Sequence, residues 1–197
     1  MTRRDLQAQQ TRRDLVDAAR RLFADRGFAK TSVRDVAAAA NVSVQTVYDS
    51  VGPKPALLLA LNDVLDEEAE IGALVGAAMA SGSSDELVAL PARISRSVLD
   101  HAGDIVRTIV GAAPNEEAAA AALAEGRRRH GAGIRAVVEQ WSARGLLADG
   151  VTVDDAAETV SALSDPAMVL VLHDAHGWSS ERIEGWLNRA FRAILLA

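Results

Sequence analysis

Thr31-Ser-Val-Arg-Asp-Val-Ala-Ala-Ala-Ala-Asn-Val-Ser-Val-Gln-Thr-Val-Tyr48 is the stretch that decides the fold. Ser32 stands three residues before Asp35, the spacing at which a hydroxyl accepts from a first-turn amide while the carboxylate complements the helix dipole. Val33, Val36, Ala37 and Ala40 then recur at helical spacing. Asn41 interrupts them, a residue that tolerates positive φ better than most. Ser43 caps a following helix, 44–49, which turns Val47 inward and Gln45, Thr46 and Tyr48 at least partly outward. Two short helices joined by a tight turn, with Ala37 small enough for close approach, make a helix-turn-helix.

Upstream, Leu15, Ala18, Ala19, Leu22 and Phe23 lie on one helical face, and Gly27 supplies a stop. Thr11-Arg-Arg-Asp14 has the form of a capping box, although the Arg and Gln residues before it can carry the helix further toward the N-terminus. Residues 31–48, with Lys54 and Leu57-Leu58 after them, resemble the N-terminal signature of TetR-family transcriptional regulators, and the likeness covers residues 11–62 closely. Asn41 stands where that family usually has Gly, and Val51 where it usually has Phe. Asn41 can adopt the same turn, whereas Val51 fills less volume beneath Tyr48.

Beyond Lys54 the periodicity predicts a long helix over 54–79, ended by Ser81-Gly-Ser-Ser-Asp85, then helices over 85–101, 104–112, 115–144 and 153–163. A break follows at Ser164-Asp165-Pro166, then a continuation to 175 and a last helix over 180–196. No segment alternates as a strand would. The expected fold is all-α, about nine helices, with a three-helix DNA-binding domain at 1–54 and a helical effector-binding and dimerisation domain at 55–197.

Charge divides the chain at the same place. Residues 1–54 hold ten Lys and Arg against six Asp and Glu, while residues 55–197 hold 11 against 21, within an overall net charge of −6. A basic N-terminal part and an acidic remainder imply different partners. The chain has 49% hydrophobic residues, 4% aromatics and no cysteine. That composition points to a helix-rich cytoplasmic protein and excludes thiolate metal ligands and Cys nucleophiles. No apolar run reaches the ~18 residues of a membrane span, and Met-Thr-Arg-Arg-Asp lacks a signal peptide's apolar stretch.

The N-terminal residues of the second helix of such a motif meet base edges in the major groove. Here these are Ser43, Val44, Gln45 and Thr46; Gln45 suits adenine, and Val44 or the Thr46 methyl suits thymine. Tyr48 and Lys54 are candidates for phosphate contacts, as are Thr31 and Ser32 at the start of the preceding helix. Arg3, Arg4, Arg12 and Arg13 add attraction that is independent of sequence. Helix capping accounts equally for Thr31, Ser32 and Ser43, and core packing for the Tyr48 ring.

The last helix carries Ile183, Trp186, Leu187, Ala190 and Ile194 on a wide apolar stripe, which with Val160 and Leu163 forms either intramolecular core or a homodimer interface. The family resemblance implies the latter, because such regulators pair through their two C-terminal helices. An effector pocket is expected between residues 71 and 171, with His101, Arg107, Trp141 and Met168 as candidate lining. His173-Asp174-Ala175-His176 lacks a third matching ligand, so no metal and no cofactor are expected. Arg127-Arg-Arg-His130 reads as a solvated face. With no nucleophile elbow and no phosphate loop, no enzyme is expected. The resemblance implies a one-component regulator, a repressor released from a palindromic operator by a small molecule. The alternatives are a constitutive DNA-binding protein without an effector and a ligand-binding module that has lost DNA binding.

Overall fold

The computed structural model describes residues 2–196. Among them ten α-helices follow one another: α1 (Arg3–Arg26), α2 (Val33–Ala39), α3 (Val44–Ser50), α4 (Lys54–Glu68), α5 (Ile71–Ser81), α6 (Ser84–Ala112), α7 (Glu117–Ala143), α8 (Val153–Leu163), α9 (Pro166–Leu170) and α10 (Ser180–Leu195). A π-turn, Val171–Ala175, continues α9. Strand-like pairing is limited, among the described residues, to one isolated antiparallel bridge between Leu147 and Leu196. No helix among them is long and apolar enough to cross a membrane.

The chain forms two compact units, one of residues 1–64 with 104–125, the other of residues 65–103 with 126–197. In the first, α1 buries Leu15, Val16, Ala18, Ala19 and Phe23 against the short helices α2 and α3. Phe23 meets Phe28 edge to face, 5.1 Å between ring centres. Helix α1 starts earlier than the Thr11 signal suggests. Its capping box is Thr2 with Asp5, and the Thr11 hydroxyl donates back to the Gln7 carbonyl within the helix.

The turn between α2 and α3 is closed by its own backbone. Asn41 has φ 54°, its N–H donates to the Ala38 carbonyl, and the Val42 N–H donates to that of Ala37. These two bonds satisfy carbonyls that the end of α2 would leave orphaned, the arrangement a left-handed residue makes possible. Ser32 and Asp35 form a reciprocal capping box at the start of α2, and Ser43 caps α3 by accepting from the Thr46 N–H at 3.0 Å. At the far end of the unit, Arg20 of α1 grips Asp104 of α6 through two bonds of 2.6 and 2.7 Å and holds its carboxyl below the usual range.

Two expected helix boundaries differ. The helix from Lys54 does not continue to residue 79, because Glu70 takes φ 52° and separates α4 from α5. The run Asp66-Glu67-Glu68 lies unfavourably at a helix C-terminus, and the Ser97 hydroxyl takes the buried Ala69 carbonyl at 2.8 Å. The expected break between 101 and 104 is instead a kink inside α6, where Ala102 has φ −132° and ψ 17°.

The second unit has its core around Trp141, Leu87, Leu90, Val138, Val160, Ile183, Leu187 and Phe191. Pro91 interrupts α6, and having no N–H it cannot bond the Leu87 carbonyl one turn back. The Trp141 indole N–H of α7 donates to that carbonyl at 3.2 Å, which satisfies two buried polar groups at once. The run of residues 127–130 is solvated only in part. Arg127 and Arg128 are exposed, Arg127 pairing with Asp165, while Arg129 is half-buried and paired with Asp66, and His130 is half-buried with Nε2 3.1 Å from the Ser164 hydroxyl. Burial pushes the His130 imidazole down from its usual value.

Two outcomes follow for stability measured by denaturant unfolding. Asn41→Ala costs about 1 kcal/mol, the penalty of a Cβ in a left-handed turn without Asn's local hydrogen bonding, while Asn41→Gly is tolerated. Asp104→Asn lowers stability at neutral pH by up to about 1 kcal/mol, the screened value for a partly exposed pair. Because the native carboxyl pKa is depressed, that contribution is complete above the ordinary value of 3.8 and is lost as pH falls through the native one. The gap between variant and parent therefore closes in acid.

Candidate nucleic-acid interface

Seven residues are too few for a stable isolated helix, so α3 depends on its cap and its base. Val47 is fully buried beneath it. At its C-terminal end the Ser50 carbonyl accepts from Arg12 of α1 at 3.1 Å, which places a guanidinium where the helix dipole is negative. What remains outward is chemically varied. Gln45 is exposed, and its side-chain amide donates to Asp49 at 2.8 Å, an i, i+4 link along the helix. Tyr48 is 48% exposed, so its ring is not part of the core. Val44 and Thr46 are half-buried, and Ser43 is exposed.

The residues before α2 separate into two kinds. Ser32 is exposed, its hydroxyl donating to Asp35 at 2.6 Å and accepting from the Asp35 N–H at 3.2 Å. The Ser32 hydroxyl and the Ser32 N–H, which donates to the same carboxylate at 2.8 Å, hold the Asp35 carboxyl below its usual range. Thr31 is 2% exposed; its hydroxyl donates to the Gly27 carbonyl at 3.0 Å and reaches that of Leu22 at 3.3 Å. The expectation that the Thr31 hydroxyl meets phosphate is therefore corrected: it closes the end of α1, and burial keeps it from the surface. Lys54 sits 4.0 Å over the Phe28 ring, with Nζ 3.5 Å from the Ala29 carbonyl, so α4 is tied at its first residue to the turn that precedes α2. Gln45 and Asp49 stand on one face of α3, and their link was readable from the spacing alone.

The four candidate pocket residues have different local settings. Trp141 is fully buried and acts as core, its ring 6.5 Å from Phe191. His101 is exposed, with Nδ1 3.0 Å from the Ser97 carbonyl, and Met168 is half-buried on α9. Arg107 belongs to the first unit, where it lines an open groove of about 490 Å³ with Phe23, Phe28, Thr108 and Asn115. Of the seven candidate interface residues, Val160, Ile183 and Leu187 are fully buried in the second unit's own core, so they cannot face a partner. The reason is that α10 is apolar on two adjacent strips. One of them, Ile183, Leu187, Phe191 and Leu195, fills the core; on the other, Ile194 is exposed and Trp186 and Ala190 are half-buried, as is Leu163 of α8.

Residues 15–61 match the family model for bacterial regulatory proteins of the tetR family. No curated protein matches the chain. Among solved structures, a candidate TetR-family regulator from Syntrophomonas wolfei superposes with a TM-score of 0.81 at 15% identity, over 94% of this chain and 95% of that one. NalD, the secondary repressor of the MexAB-OprM multidrug efflux pump in Pseudomonas aeruginosa, gives 0.70 at 20% identity, over 96% and 98%. The regulator FadR from Bacillus subtilis, solved with stearoyl-CoA, gives 0.74 at 14% identity, over 90% and 96%. The N-terminal helices thus match the tetR family of bacterial regulatory proteins over residues 15–61, and the chain has the fold of the TetR-family regulators it superposes on.

Proposed function

We propose that this chain is a homodimeric, one-component repressor that reads a palindromic DNA site with α3 and leaves it when a small molecule binds the second unit. The observation that carries the reading is the exposed face of α3, where Gln45 and Tyr48 point outward from a helix fastened at both ends by Ser43 and Arg12. Residues 1–54 are the basic reading head. Ser43, Val44, Gln45 and Thr46 supply the base contacts, and Ser32, Tyr48 and Lys54 the phosphate contacts, with Lys54 leaving Phe28 to do so. Residues 55–197 supply effector binding and pairing.

Pairing rests on the strip that α10 leaves outside. Ile194 is 55% exposed, Val171 of the π-turn 52%, and Trp186 stacks edge to face on Trp178 at 6.0 Å. Large apolar side chains gathered at a surface mark a contact with another protein, and a two-fold pair would present two reading heads to one palindrome. Effector release is supported by analogy, since solved relatives of this fold were obtained with stearoyl-CoA and with choline. Such a ligand must bind the DNA-incompetent arrangement better than the competent one.

Selection from random duplex DNA is expected to enrich a palindrome, and enrichment of no sequence would overturn the reading. On the selected site Lys54→Ala reduces the slope of log affinity against log salt by about one, the release expected for a single phosphate contact. Sedimentation of the full chain is expected to show a dimer that Trp186→Glu with Ile194→Glu converts to a folded monomer. That double variant loses most of its affinity for the palindrome while binding a half-site as the parent does.

A further inference from the structure

The groove that holds Arg107 is lined wholly by the first unit, from residues 23–30 and 104–116. Its volume, about 490 Å³, is in the range of small-molecule sites, about 300–1,000 Å³. One wall is the last turn of α1 with the loop to α2, and the other is the C-terminal part of α6. On α6 the lining residues Asp104, Arg107, Thr108, Gly111 and Ala112 follow a single stripe of the helix, at i, i+3, i+4, i+7 and i+8. Gly111 stands within that stripe, and a Cβ added to it meets nothing within 4 Å. Glycine in a helix costs up to about 1 kcal/mol against alanine, and no close neighbour requires it here. The missing side chain keeps the groove open.

Phe23 and Phe28, packed edge to face, give the groove an aromatic floor. Arg26, Lys30 and Arg107 are exposed along it, and its acids are Asp104 and Glu116. Arg20 bonds both oxygens of Asp104, so with that arginine included four cations stand against two acids. The site is thus net positive in a chain of net charge −6. An aromatic floor under an excess of guanidinium and ammonium groups is complementary to an aromatic body that carries a carboxylate.

We infer that this groove binds a small aromatic carboxylate and that its occupant weakens DNA binding by the helix-turn-helix. The site is separate from effector binding by the second unit. Its effect on DNA rests on the regulator reading above, whereas its occupancy does not. The link to the reading helices is short. Phe28 and Ala29 line the groove, and the same two residues hold Lys54, whose Nζ lies 4.0 Å over the ring and 3.5 Å from the Ala29 carbonyl. Gly27, also in the lining, gives its carbonyl to the Thr31 hydroxyl just before the α2 cap. An anion held there offsets the cations beside α2 and draws Lys54 toward the groove. Ligand and DNA therefore oppose each other, by the same factor in either direction.

The test titrates the full chain with 2-naphthoate and follows the backbone amides by NMR. Saturable shifts are expected at residues 27–30 and 111–115. Arg107→Ala weakens binding by about tenfold, the size of one charge-assisted hydrogen bond, and the uncharged 2-naphthamide binds the parent more weakly by at least about that factor. Gly111→Leu fills the groove and abolishes the shifts, while its thermal midpoint holds or rises because leucine is the better helix former. Should that variant not fold, Arg107→Ala, at an exposed position, carries the comparison. No saturation, shifts confined to residues 65–103 and 126–197, or equal binding of the amide overturns the site. On a duplex that the parent selects, saturating 2-naphthoate lowers the parent's affinity several-fold and leaves that of Gly111→Leu unmoved. An unmoved parent, with its groove occupied, overturns the antagonism alone. A parent that selects no duplex overturns the regulator reading and the antagonism with it, while the titration still decides the site.

Discussion

Two helices of seven residues cannot hold themselves in water, and every feature of the N-terminal domain answers to that constraint. The buried face of α1 gives them a surface, the left-handed Asn41 sets the angle between them, and side-chain caps at Ser32 and Ser43 satisfy their first amides. The Thr31 hydroxyl and the Arg12 guanidinium finish the job at carbonyls that helix geometry leaves without partners. The exposed face of α3 is thus what remains after these residues have been used for support. This is why Gln45 and Tyr48 are exposed there while Thr31 is buried.

Most of that domain was legible in the sequence because its determinants are local. A capping serine, a residue tolerant of positive φ and a four-residue hydrophobic period act over a turn or two, and the structure places α2 and α3 at the expected positions. The likeness to a known family added the role. What was misread depends on contacts distant in sequence. The break at Glu70 accompanies a hydroxyl 27 positions away, and the fate of residues 127–130 depends on Asp66, Ser164 and Asp165. A helical wheel of α10 shows one broad apolar stripe. Only the packed unit shows that half of it is consumed internally, which moved the candidate partner surface from Ile183 and Leu187 to Trp186 and Ile194.

The same lesson applies to Trp141. As a large aromatic in the middle of the chain it was a reasonable guess for a ligand-lining residue, yet its partner is a carbonyl stranded by a proline on another helix. Burial of a ring with one polar atom is stabilising only when that atom is bonded, so the pair Pro91 and Trp141 is more readily explained as a matched defect and repair than as a site. None of the pocket candidates rests on a spacing that chemistry demands.

The only tyrosine, Tyr48, stands on the exposed face of α3, and all three tryptophans, Trp141, Trp178 and Trp186, lie in the second unit. Nature has therefore sorted the chromophores by unit. Light absorbed by indole reports on one unit and a phenol on the other, with a sealed indole in the core and two partly exposed ones beside the outer strip of α10. Events in the unit that holds the helix-turn-helix and events in the other can be followed as separate optical signals in the unlabelled chain.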